Sequence, residues 1–462
     1  MRRRPSPWLA PVVVAVCLGL LLTTALSLPS RTGSSPENPA PIALLGPTAA
    51  GGSGGHSAGR SVEGSPESFP PNPVAGTVLA TIPVGSDPVS ASVDTESADV
   101  YVPNRDSDNV SVLSGTSLVA SIPVGLAPSW VTFDATDAFL YVDNEDSSNV
   151  SVIQGTSLVG TVSVGARPAT SVYDTGNGDI YVLGEGLFSG RAGSVTVIHG
   201  TAAVANLSIG VAPYPAAYDP RDGDVYVPNY GSNNVSVIHN TSIVASVDVG
   251  QGPISAGYDS ASGDVYVANW DSKSVSVING SSVVATVLAE AGATWPIYDP
   301  SNGYVYVMDY SASNITVVAG TRAIATVPVG EGPFLAGCDN STGELFVPDS
   351  LSDVVSLVSG TTWVGNAAVG NSPQAAVYDG ANGYVYVPNL GSGNVTVLFG
   401  GAPSASPATG PPWWEGTVLG VVIVGAALGV VLGLIRRGRR PPEPARTDAG
   451  SPGAAGTPSE SR

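Results

Sequence analysis

The chain has 462 residues, with 37 acidic against 17 basic side chains, a formal charge of −20, two cysteines and three histidines. That balance excludes nucleic acid as a partner, because its binding depends on neutralising phosphates with Lys and Arg. So few Cys and His also exclude a disulfide scaffold and a Cys/His-rich zinc module.

Met1–Leu28 opens with Arg2, Arg3 and Arg4 and continues as an apolar run, which predicts an export signal peptide or a retained signal anchor. Residues 29–73 are rich in Pro, Gly, Ser and Ala without apolar period, the composition of a disordered spacer. Residues 401–415 repeat that composition. Trp413 and Trp414 then precede an uncharged apolar run over 416–435, closed by Arg436, Arg437, Arg439 and Arg440. About twenty apolar residues flanked in this way predict a transmembrane helix with residues 436–462 as a basic, disordered cytoplasmic tail. Gly425, Gly429 and Gly433 form two overlapping GxxxG spacings, which predict a homodimer contact between such helices.

Between these ends, residues 74–400 are built from one repeated unit. An aromatic residue followed by Val recurs at Tyr101, Tyr141, Tyr181, Tyr226, Tyr266, Tyr306, Phe346 and Tyr386, at spacings of 40, 40, 45, 40, 40, 40 and 40 residues. Each unit reads as four short strands separated by Asn/Gly/Ser turns, and such a small sheet must bury its faces against neighbours. The prediction is an all-β, eight-bladed β-propeller, with seven blades as the alternative. Thr77–Val84 precedes any complete unit, and the last unit stops at Val397–Phe399 without an outer strand. The first segment is therefore expected to complete the last blade. Within 74–400, Arg105, Arg167, Arg191, Arg221, Lys273 and Arg322 face thirty Asp or Glu, a balance of 6 − 30 = −24, so the basic residues concentrate in the two ends.

The tetrapeptides Tyr101–Asn104, Tyr141–Asn144, Tyr226–Asn229, Tyr266–Asn269 and Tyr386–Asn389, with the N-V-S-V and I-P-V-G-x-x-P signatures, resemble the YVTN-type β-propeller repeat. That resemblance covers the propeller only. It implies an archaeal surface-layer-like or exported bacterial propeller, and it shares architecture with propeller lactonases.

Departures from the repeat are the candidate functional features. The third blade has five extra residues within Leu183–Gly193, which include Glu185 and Arg191. The sixth replaces V-G-x-x-P by LAEAGATWP, which introduces Glu290 and Trp295. Long or irregular loops are where a rigid scaffold places binding residues. The residues closing each Y-V-x-N motif, Asn104, Asn144, Asn229, Asn269, Asp309, Asp349 and Asn389, share one position on the ring. They read either as loop-stabilising hydrogen bonds or as a polar ring that recognises a glycan or peptide. Nine N-x-S/T sequons, at Asn109, Asn149, Asn206, Asn234, Asn240, Asn279, Asn314, Asn340 and Asn394, are candidate glycosylation sites.

No motif implies a cofactor. The loops NRDSDN and NEDSSN carry closely spaced oxygen ligands that leave calcium open, but they lack the Gly and distant Glu of an EF-hand. His199 and His239 occupy equivalent positions in adjacent units, as repeat chemistry would place them. The expected function is a membrane-anchored, cell-surface propeller that acts as a non-catalytic binding or envelope-scaffold protein, with envelope proteins or surface glycans as partners. The alternative is an exported lactonase-like hydrolase using a metal or carboxylates at the channel mouth.

Overall fold

The computed structural model describes residues 73–184 and 191–401; the expected signal, spacer, transmembrane helix and tail lie outside the described residues. These residues form eight four-stranded antiparallel sheets. The strands of each blade are called A to D from the axis outward. In blade 4 they are Ala217–Asp219, Asp224–Asn229, Asn234–His239 and Ser242–Asp248. The seven-bladed alternative is thereby excluded. Blade 8 takes its outer strand, Val78–Pro83, from the start of the propeller and pairs it with Asn394–Phe399. Circular closure removes the open end that a linear stack of sheets would leave.

The core consists of eight layers between blades. In the layer between blades 4 and 5, Tyr226, Val235, Val237 and Val247 pack against Val265, Val267 and Ile278. The strand B tyrosines are fully buried, and six of them also latch the ring. Tyr226 Oη donates to Gly280 O at 3.0 Å, and Tyr386 Oη donates to Gly115 O at 3.1 Å across the closure. Each latch joins one blade to the C–D hairpin of the next, so the V-Y-V pattern fixes both the strand and its neighbour.

The disc has two unlike faces. On the hairpin face, the eight A–B turns each begin with a buried Asp that caps its own turn, as when Asp219 Oδ1 accepts from Arg221 N at 2.8 Å. The B–C loops and the D–A crossovers lie on the opposite, loop face: Asn233 Oδ1 accepts from Gly252 N at 2.9 Å. The recurrent V-G has a steric cause there. A Cβ on Gly210 would come within 2.6–2.8 Å of the Asn229 side chain, so the crossover must be bare where it crosses the next blade. Along the rim, each outer strand carries a bulge at one shared register, shown in blade 4 by the shift between Val237 and Ile238. Bulged edges resist pairing with another chain, which matters where few charges protect the rim.

Candidate functional site

The residues that close Y-V-x-N are all fully buried. Asn104 Nδ2 donates to Asn109 Oδ1 at 2.8 Å and to Ser111 Oγ at 2.9 Å, and Asn389 makes the same pair of bonds to Asn394 Oδ1 and Thr396 Oγ1. Asn144, Asn229 and Asn269 repeat the bond to strand C. Asp309 and Asp349 reverse it, accepting from Thr316 Oγ1 and Ser356 Oγ at 2.7 Å. Their side chains hold the B–C loop against strand C, beneath the surface of the loop face.

What the loop face presents is set by the next residue along, which does not repeat: Arg105, Glu145, Tyr230, Trp270, Tyr310, Ser350 and Leu390 among the described residues. Two arcs result. In blades 1 to 3, buried Glu145 accepts from Arg105 at 2.5 Å and also pairs with Arg167. In blades 4 to 7 the arc is aromatic. Trp270 contacts Tyr310 at 5.9 Å, Tyr310 contacts Phe334 at 6.2 Å, Phe334 contacts Trp295 at 5.6 Å, and Tyr214 lies 5.8 Å from Tyr230.

The arcs meet at the axis. Trp130 of blade 2 and Trp295 of blade 6 stack with centroids 6.2 Å apart and planes 3° apart. Blades 2 and 6 are four apart in a ring of eight, so the two indoles reach each other across the central channel. Trp295 has φ +44°, a strained left-handed conformation for an aromatic residue. Its backbone N–H donates to Ser255 Oγ of blade 5 at 2.8 Å, which pins it, while its indole Nε1 is buried without a hydrogen-bond partner.

Asp143 is the other departure at this level, occupying the position where several blades have Pro. It is fully buried, and burial pushes its carboxyl up to about 7. The Ser171 hydroxyl favours the charged form but lies outside hydrogen-bond geometry, being engaged at 2.9 Å with Thr132 Oγ1. Nearer the rim of the face, burial raises Asp87 to about 6, with repulsion from Asp106 adding to it.

Of the residues singled out from the sequence, Trp295 lies at the axis, and Glu290 is exposed on the crossover into blade 6. Arg191 is exposed in blade 3, three blades from Glu290, and Glu185 lies outside the described residues. The NRDSDN loop contains the 3₁₀ turn Arg105–Ser107, and among the described residues no three His, Cys, Asp or Glu side chains gather as a metal site. His199 and His239 bond Asp179 and Asp224 at 2.9 and 2.8 Å on the hairpin face. Cys338 is partly buried, and burial raises its thiol to about 12. Sequence reasoning missed the aromatic arc. Part of the signal was the residue after each motif Asn, which changes chemistry from blade to blade: Tyr230, Trp270 and Tyr310 all hold that position, while Tyr214, Trp295 and Phe334 come from the crossovers.

Among the described residues, Glu145 is the one buried carboxylate held by two guanidiniums. Glu145→Ala should lower stability to urea by about 1–2 kcal/mol, a modest figure because Arg167 is substantially solvated. An unchanged midpoint would show that the two arginines do not depend on it.

No protein-family model and no curated protein matches this chain. Solved structures do resemble it. Hydrazine synthase of Kuenenia stuttgartiensis is 14% identical, covering 73% of this chain and 99% of that one, with a TM-score of 0.47. Virginiamycin B lyase of Staphylococcus aureus is 11% identical over 59% of this chain and 94% of that one, with a TM-score of 0.49. A protein of unknown function from Desulfotomaculum acetoxidans is 11% identical over 63% and 98%, with a TM-score of 0.48.

Proposed function

We propose that this protein is a membrane-tethered, extracellular propeller that binds its ligand without transforming it, presenting the loop face to the surroundings. The observation that carries this reading is the placement of the two ends of the ring. Gly76 N donates to Phe399 O at 2.8 Å, and Gly400 N donates to Gly383 O at 2.8 Å, so both chain ends leave blade 8 on the hairpin face. Tethers attached there would direct the aromatic and ionic arcs away from the membrane. Repeated polar residues are absorbed by the scaffold, while the variable ones crowd one face, as binding surfaces on rigid folds do. Envelope proteins or surface glycans are the partners this reading favours, with Gly425, Gly429 and Gly433 as the helix-pairing surface. The hydrolase alternative draws no support from Arg191 and Glu290, which lie on separate blades.

The sequons divide by environment. Asn206, Asn240, Asn279 and Asn340 are exposed, whereas Asn109, Asn149, Asn234 and Asn394 each accept a bond from a motif Asn through Oδ1. Asn314 is also half-buried. Protease treatment of intact cells should release the propeller and leave residues 416–462 in the membrane fraction. In a glycosylating host, mass spectrometry of the released part should find glycans only within the exposed group. Propeller retained inside protected cells would overturn the extracellular placement.

A further inference from the structure

The axis of the loop face combines two features that a ligand would engage. Two indoles stack across the channel. Beneath them, neither oxygen of Asp143 has a hydrogen-bond donor. Trp130 pairs directly with Asp143 across strands A and B, which puts both side chains on the same side of blade 2. That side faces blade 3, because Thr132, two residues on, bonds Ser171 there. Trp130 therefore lies over the carboxylate at the wall of the channel.

The charges around this point say what chemistry would settle there. The guanidiniums of Arg105 and Arg167 are taken by Glu145, and Arg221 donates to the carbonyls of Ser260, Ala261 and Ser262 on the far face. Asp271 adds a further carboxylate beside the aromatic arc, where burial and then this charge push the Tyr230 phenol up to about 12. The propeller as a whole is strongly acidic, which draws cations toward such a mouth. Aromatic faces bind cations through the ring quadrupole, and more strongly where water is excluded. A bare cation would leave the indoles and the orphaned oxygens badly matched, since the oxygens need N–H donors and the rings need an apolar body. A quaternary ammonium has no N–H to offer Asp143.

We propose that the channel mouth is a binding site for a primary organic ammonium. Trp130 and Trp295 clasp its apolar body, and Asp143 accepts its N–H donors. This rests on the loop face being the ligand-binding face, and it names the class of ligand. Binding requires the two stacked indoles to part so that the apolar body enters between them.

The test uses the full chain in detergent, with indole fluorescence and thermal shift as the readouts. The probes are 2-phenylethylammonium, its N,N,N-trimethyl analogue, 2-phenylethanol and cellobiose. The expected result is saturable quenching by the primary ammonium, with affinity reduced at least tenfold for the trimethyl analogue and the alcohol. Asp143→Asn, which keeps size and shape, should cost the primary ammonium a similar factor while leaving the fold cooperative. Asp353→Asn, an outer-loop control, should not. Equal affinity in Asp143→Asn overturns the proposal, as does silence with every probe. Binding of cellobiose in place of the ammonium also overturns it, but leaves the loop face standing as the ligand-binding surface.

Discussion

A chain lacking residues 74–85 should melt far below the intact protein and become open to protease along blade 8. The segment supplies the outer strand Val78–Pro83, whose residues pair with Leu398, Val397, Thr396, Val395 and Asn394. Its Ile82 is buried in the layer with Val100, Val102, Leu113, Tyr386, Val395 and Val397. Deletion uncovers that layer and removes a ladder whose buried partners then lack donors and acceptors. The loss is on the order of 5 kcal/mol, comparable with the whole stability of many domains. The milder Ile82→Ala should cost about 2–4 kcal/mol. A synthetic peptide spanning residues 74–85, added to the truncated chain, should restore much of the lost melting temperature. If the truncated chain keeps its melting temperature, the ring is not held shut by this strand.

The ring was legible because its causes are local and recur. Forty-residue phase, V-Y-V strands and Asp–Gly turns each follow from pleat and turn chemistry, and eight copies leave little freedom in how they stack. The orphaned Thr77–Val84 at one end matched the missing strand at the other, so closure could be read as well. The face chemistry was harder. Trp130 and Trp295 are 165 positions apart, four 40-residue units plus the five-residue excess of blade 3, so they hold the same position in opposite blades; that shared position gives no contact until eight blades close into a ring. The irregular LAEAGATWP drew attention to Trp295 and Glu290 but gave no partner for either. Trp130 and Asp143 sit inside regular-looking repeats, where one substituted residue carries no signal until its surroundings are known. The buried Asn set illustrates the converse. Its regularity suggested a shared position, and the structure assigns its side chains to strand C and the loop above it.

Regularity also shows where the scaffold is imperfect. In blade 8, Asn389 Nδ2 donates to Asn394 Oδ1 and Thr396 Oγ1. Blade 6 has the same surroundings, Asn314 and Thr316, but Asp309 in place of the amide. The Thr316 hydroxyl can turn to donate to Asp309, at 2.7 Å, whereas Asn314 Oδ1 is left buried without a partner. Burial pushes Asp309 up from 3.8 to about 7, and the nearby charge of Glu290 adds to the rise; burial does the same to Asp349 and Asp143. A protonated Asp309 could donate to Asn314, which an ionised one cannot. These carboxyls therefore hold protons in the folded state that the unfolded chain has released. Their protonated forms stabilise the fold fully below about pH 4, and that contribution is lost as pH rises through about 7. Asp339 opposes this trend: burial raises it, but Ser341 and Thr342 bond its charged form and hold it below the usual range. Burial also raises Asp87, Glu344 and Asp379, so with six carboxyls raised against one lowered the protein should resist urea better at pH 5 than at pH 8. Asp309→Asn should raise stability at pH 8 by roughly 2 kcal/mol and flatten the dependence between these values, because the amide supplies the missing donor at every pH. Asp349→Asn should gain less, since Val354 stands where blade 6 has Asn314 and offers no acceptor. Denaturation midpoints of the three chains at both pH values decide the matter. A less stable Asp309→Asn at pH 8 would mean that the carboxylate is held by interactions other than those of blade 6's loop.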